Sequence, residues 1–155
     1  MNRLFCLPLF FTLHLQATDS TLPGEVTTPF PTITNLAVEW RIEDDDNLNA
    51  TCELKYRKDG ETAWMDGMPL RRVPAWKSQQ TSPIISWTNR LSGSVFDLEP
   101  GTSYEIELKL NDPDGGSATK IVKAATRPEP IAKADAVLKN VSKSDLNALK
   151  PGEVL

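Results

Sequence analysis

Leu98-Glu99-Pro100-Gly101-Thr102-Ser103-Tyr104-Glu105-Ile106-Glu107-Leu108-Lys109-Leu110 joins a sharp turn to a regular strand. Proline fixes its own φ and glycine accepts a positive φ, so Pro100-Gly101 reverses the chain. From Tyr104 onward Tyr104, Ile106, Leu108 and Leu110 share one face, while Glu105, Glu107 and Lys109 share the other. Successive side chains of a strand point to opposite faces, so this pattern describes a strand with one side in a core and one in water.

The same alternation recurs upstream. Leu36, Val38, Trp40 and Ile42 oppose Ala37, Glu39, Arg41 and Glu43, and Cys52, Leu54 and Tyr56 oppose Glu53, Lys55 and Arg57. The acidic and amide-rich stretch Glu43–Asn49 is the loop between them. Lys58-Asp59-Gly60 supplies a turn, and a later strand is expected to end at Phe96 and Leu98. Downstream, Asn111–Gly116 turns the chain into a β-branched run over Thr119–Val122, and Pro128 and Pro130 end the unit. About seven short strands with turns between them, and no helical pattern before Pro130, predict an all-β sandwich.

These residues resemble the fibronectin type III family, over roughly 31–128. Trp40 stands where the family's second strand carries its core tryptophan, and Tyr56 with Arg57 resembles the third-strand tyrosine and its basic neighbour. Leu98, Pro100, Gly101 and Tyr104 look like the family's corner. The resemblance implies a fibronectin type III/immunoglobulin-like β-sandwich. In it the ring of Tyr104 lies in the core and its hydroxyl bonds to backbone upstream.

The ends differ in kind. Arg3 precedes an apolar run from Leu4 to Leu15 that gives way to Ala17, Thr18, Asp19 and Ser20, the pattern of a signal peptide. The run is too short to cross about 30 Å of hydrocarbon as a helix, so residues 1–17 are read as a cleaved leader, with no membrane insertion afterwards. Leu15 is bulkier than the small residue usual two positions before a cleaved bond. Cleavage removes Cys6 and leaves Cys52 alone, which excludes an intrachain disulfide; the phase of Cys52 with Leu54 and Tyr56 places it in the core. Residues 18–30, rich in Thr, Pro and Gly, are expected to be a linker or a loosely held first strand. Residues 129–135 are read as a second linker. Over 136–155 a short segment with Ser144 as a helix cap leads to Lys150-Pro151-Gly152-Glu153-Val154-Leu155, which resembles the start of a right-handed parallel β-helix of the polysaccharide lyase type. The expected location is secreted or extracellular, including the periplasm and the cell surface.

Chemistry in this chain is sparse. The only histidine, His14, lies in the leader, so no catalytic residues, no cofactor and no metal site are expected. Asp44-Asp45-Asp46 and Asn111-Asp112-Pro113-Asp114-Gly115 offer oxygen ligands without full calcium-loop spacing. A net charge of -4 with interspersed signs argues against nucleic acid. One stretch departs from the family pattern: 65–92 is longer than the usual connection and carries Arg71, Arg72, Trp76, Lys77, Trp87 and Arg90. Indoles stack on sugar rings or pack on a neighbouring domain, and Arg pairs with carboxylates, so the expected partners are an acidic polysaccharide or an adjacent β-helix domain. The competing reading has Ile85 and Trp87 in an extra strand at the sandwich edge, with the Arg side chains merely solvating it. The function expected is a non-catalytic binding or spacer module of a secreted carbohydrate-active protein. Its alternatives are the leader of a β-helix lyase or a cell-surface adhesion module.

Overall fold

In the computed structural model, which describes residues 18–79, 82–132, 142–144 and 148, the alternating segments are strands. In chain order they are β1 (Thr21–Thr27), β2 (Leu36–Asp44), β3 (Thr51–Lys58), β4 (Met65–Asp66), β5 (Arg71–Val73), β6 (Trp76–Lys77), β7 (Ser86–Trp87), β8 (Arg90–Val95), β9 (Ser103–Asn111) and β10 (Ala118–Ala125). All ladders are antiparallel. One sheet runs β1-β2-β8-β5 and the other β10-β9-β3-β4, while β6 and β7 pair only with each other. That strand order is a fibronectin type III/immunoglobulin-like sandwich, with the β6–β7 hairpin inserted in the connection from β5 to β8.

The buried faces of the alternating strands meet between the sheets. Leu36, Val38, Trp40 and Ile42 of β2 pack with Cys52 and Leu54 of β3, Leu91 and Val95 of β8, and Tyr104, Ile106, Leu108 and Leu110 of β9. Each fully buried large aliphatic side chain contributes about 1.5–3 kcal/mol, so this layer is the main source of stability. Cys52 is a core residue, and burial pushes its thiol up to about 12, which removes thiolate chemistry at neutral pH.

The corner is tied on all sides. Glu99 N–H donates to the Tyr104 hydroxyl at 2.9 Å, and Leu98 N–H to Thr34 C=O at 2.9 Å. Gly101, at φ 58°, donates its N–H to Arg127 C=O at 3.1 Å. The buried Thr126 hydroxyl donates to Glu99 C=O at 2.6 Å and accepts from Thr102 N–H at 3.0 Å. Tyr104 itself is almost wholly buried, its ring tilted against Tyr56 with centroids 6.4 Å apart. Strand β8 stops at Val95 rather than reaching Phe96 and Leu98. Asp97 takes a φ of 57°, which turns the chain so that Phe96 faces solvent and Leu98 returns to the core.

Within the 18–30 segment, residues 21–27 form the first strand of the sandwich, the second of the two readings of that segment, and not a linker. Its anchor is Asp112, whose carboxylate accepts the Thr21 N–H at 2.7 Å, the Thr21 hydroxyl at 2.6 Å and the Asp114 N–H at 2.8 Å. Burial by itself would raise the pKa of Asp112. The hydrogen bonds from Thr21, Asp114 and Gly115 outweigh burial and hold it below the ordinary carboxylate value. Gly116 has no room for a side chain, since a Cβ there would sit 1.6 Å from Thr21 C=O. The expected leader, 1–17, lies outside the described residues. So does the expected β-helix start, 136–155, except where Ala148 N–H donates to Ser144 C=O at 3.1 Å.

Tyr104→Phe removes the acceptor for Glu99 N–H and is expected to lower stability by about 1–3 kcal/mol in urea unfolding with an unchanged m-value; a change below a few tenths would show that the hydroxyl is dispensable. Asp112 gives a pH signature. Its pKa is lower folded than unfolded, so its contribution is complete above the unfolded value, about 3.9, and is lost as pH falls through the folded value. Glu105, lowered first by its hydrogen bond from Arg57 and then by Lys123, acts in the same direction. Asp112→Asn is therefore expected to be less stable than wild type at pH 7 and to lose less on acidification below about pH 4, as read by thermal melts across that range. Parallel pH curves for the two proteins would refute the assignment.

Candidate functional site

The hairpin leaves the sandwich at Val73 and re-enters it at Arg90. Its ladder is only two residues a side, Trp76↔Trp87 and Lys77↔Ser86. So short a hairpin is marginal alone, and its other contacts show what holds it. The indoles of Trp76 and Trp87 stack across the strands, centroids 4.8 Å apart and planes 27° apart, an arrangement worth about 0.5–1.5 kcal/mol beyond area burial. Trp87 Nε1–H donates to Pro74 C=O at 2.9 Å, and Ser78 N–H to Ile85 C=O at 2.7 Å.

The aromatic pair is open to solvent. Trp76 is 48% and Trp87 39% exposed, beside Ile84 at 60% and Ile85 at 53%. Exposed indoles stacked on each other make this hairpin a candidate contact surface. Ile85 lies outside any strand, and Trp87 pairs within the hairpin, so neither fills the sandwich edge. The structure thus brings Trp76 and Trp87 together, while the three arginines separate.

Arg72 turns away from solvent. Its Nε–H donates to Asp45 Oδ2 at 2.5 Å, with the Asp45 side chain fully buried and that of Arg72 11% exposed. The other Asp45 oxygen accepts the N–H groups of Asn49 at 3.0 Å and Ala50 at 3.2 Å. Arg72 also donates to Asn89 Oδ1 and to Val73 C=O, and Asn89 Nδ2 donates to Asp44 C=O at 2.8 Å. One guanidinium therefore ties both legs of the hairpin to each other and to the β2–β3 loop. Arg90 lies on the outer face of its sheet, its guanidinium 2.7 Å from Glu39 and its Nε–H on Thr88 C=O at 3.2 Å. Arg71 is exposed opposite Ser92 of β8. The corner residues Leu98, Pro100, Gly101 and Tyr104, together with Trp40 and Tyr56, sit in the framework away from this hairpin.

Two further contacts have no counterpart in the pattern of the sequence. Asp45 carries the same letter as its exposed neighbours Asp44 and Asp46 and shares a positive φ with Asp44, so only its burial singles it out. Trp64 lies under the Arg57 guanidinium, 4.2 Å from the ring centroid, while Arg57 also pairs with Glu105 at 2.6 Å. Among the described residues no three His, Cys, Asp or Glu side chains converge as a metal site.

No protein-family model and no curated protein sequence matches this chain. Among solved structures, a computationally redesigned β-sandwich protein is 14% identical over 70% of this chain and 96% of its own, with a TM-score of 0.41. The fibronectin type-III domain of human fibronectin type III domain containing protein 3 is 14% identical over 75% of this chain and 94% of its own, with a TM-score of 0.40. Likeness at that level carries no function across, and the strand order stands on its own ladders.

Arg72→Ala leaves the Asp45 carboxylate buried without its cation and is expected to cost about 3 kcal/mol, together with the near-ultraviolet circular dichroism of the stacked indoles. Unchanged stability and an unchanged aromatic signal would show that the hairpin is held by its own ladder.

Proposed function

We propose that this chain is a non-catalytic binding module of a secreted, carbohydrate-active multidomain protein, and that the β6–β7 hairpin is its contact surface. The observation that carries this reading is the solvent-open stack of Trp76 on Trp87, mounted outside both sheets. A folding core gains from burying indoles, so two of them on an anchored projection suit a surface that is covered by something else. Flat aromatic faces complement the C–H faces of sugar rings, and a rigid pair offers them without an ordering cost at binding. The described residues supply no histidine, and the one cysteine is a buried thiol, which accords with recognition rather than bond-making.

Export follows from the leader-like run over 1–17, and the carbohydrate-active context from the β-helix-like step at 150–155. Spacing between domains is the second role of such a module, and the exposed Pro128-Glu129-Pro130 exit is a stiff connection for it.

Titration of the protein with neutral and acidic polysaccharides at millimolar sugar is expected to change its tryptophan fluorescence and to release heat. Trp76→Ala should abolish both while lowering stability by no more than about 1–2 kcal/mol, the stack plus the buried half of the side chain. Silence toward every polysaccharide would leave only the spacer role.

A further inference from the structure

The stretch of chain that carries the hairpin is one-sided in charge, and the carboxylates near it come from other segments, Glu25, Glu39, Asp45 and Glu53. Between residues 67 and 96 the chain carries Arg71, Arg72, Lys77 and Arg90 and no carboxylate, although the whole protein has a net charge of -4. Two of those cations are neutralised by the body of the sandwich, Arg72 by Asp45 and Arg90 by Glu39. Arg71 and Lys77 are exposed and make no ion pair among the described residues. Arg41 joins them: β2 sets it directly opposite Arg90, and it too is exposed, with no ion pair among the described residues. Like charges directly opposite each other on a sheet are unfavourable. Glu39 relieves Arg90, and Glu25 lines the same small depression without reaching either arginine as an ion pair.

The aromatic surface is also narrow. Four exposed apolar side chains, Trp76 and Trp87 on the ladder and Ile84 and Ile85 just before β7, fall well short of the roughly 800 Å² per partner that a standard protein interface buries. A chain-like ligand needs no such area. From these two observations we infer that the ligand is an acidic polysaccharide. Its sugar faces contact Trp76 and Trp87, and its carboxylates are drawn by Arg41, Arg71 and Lys77. Lys77 pairs with Ser86, on the hairpin face opposite the tryptophans. The cations need not touch the indoles, because one polysaccharide chain spans several sugar rings and salt screens their attraction for its carboxylates with a length of about 8 Å at physiological ionic strength. This inference rests on the glycan-binding reading and adds the sign of the glycan.

The test uses polygalacturonate, the same polymer fully methyl-esterified, and polyglutamate, each assayed by affinity electrophoresis and calorimetry. Polygalacturonate is expected to bind best, to weaken as salt rises, and to lose about tenfold in affinity to the triple variant R41Q/R71Q/K77Q. Trp76→Ala should abolish binding of both galacturonan forms. Equal affinity for the esterified polymer would overturn the charge selection and leave the glycan reading standing. Polyglutamate binding as tightly as polygalacturonate, and unaffected by Trp76→Ala, would overturn the assignment to a polysaccharide. Binding to no polysaccharide would instead sink the glycan reading itself.

Discussion

The hydrogen bond from Glu99 N–H to the Tyr104 hydroxyl fixes the point at which the chain leaves one sheet and enters the other. Strand β8 belongs to the first sheet and β9 to the second, and β9 is the strand on which both β3 and β10 are registered. A shift of one residue at the corner would turn Ile106, Leu108 and Leu110 out of the core and put Glu105 and Glu107 in. The hydroxyl holds that register from inside the core, and Thr126 holds it from the far end of β10. Pro100 and Gly101 shape the turn, but the tyrosine determines where it ends.

The chain crosses between the sheets at β2–β3, β4–β5 and β8–β9, and the crossing over residues 65–73 closes an edge. β4 pairs with β3, Gly67 N–H donates to Leu54 C=O, Leu70 N–H donates to Cys52 C=O, and β5 then joins β8. The free side of β3 is thereby paired along much of its length, which suppresses edge-to-edge association. At the opposite edge, a bulge between Pro23 and Val26 opens β1 and presents Gly24 C=O to both the Trp40 indole N–H and Lys120. The core tryptophan and an edge lysine thus share one acceptor, and the two sheets are pinned together there.

Strands β2, β3 and β9 were legible in the sequence because each buries one face and wets the other, so burial is written as period two. The first strand could not be told from a linker. It buries Thr21 and exposes Leu22, it carries Pro23 and Gly24, and its bulge breaks whatever periodicity remained. The insertion was visible as excess length with Trp and Arg, yet a two-residue ladder is too short for any period, so its separation from the sandwich could not be read. Nor could the roles of the arginines. Arg71 and Arg72 are adjacent letters on one short strand, and alternation sends one to solvent and the other to a buried aspartate. Asp45 needed the backbone of its loop, with positive φ at residues 44, 45 and 48, before it differed from its neighbours.

Anchoring the hairpin through a buried ion pair has a consequence for how binding and folding are coupled. Charges taken out of water are held only while each has its partner and its hydrogen bonds. Asp45 has Arg72 and two backbone donors, and Arg72 reaches Asn89 across the base of the hairpin. The hairpin legs cannot separate without exposing part of that arrangement to an unpaired state. The indole stack at the other end is under no such constraint, since both rings are already partly in water. The module therefore divides its labour along one short element. Its base is coupled to global stability, and its tip is free to change chemistry with little effect on the sandwich.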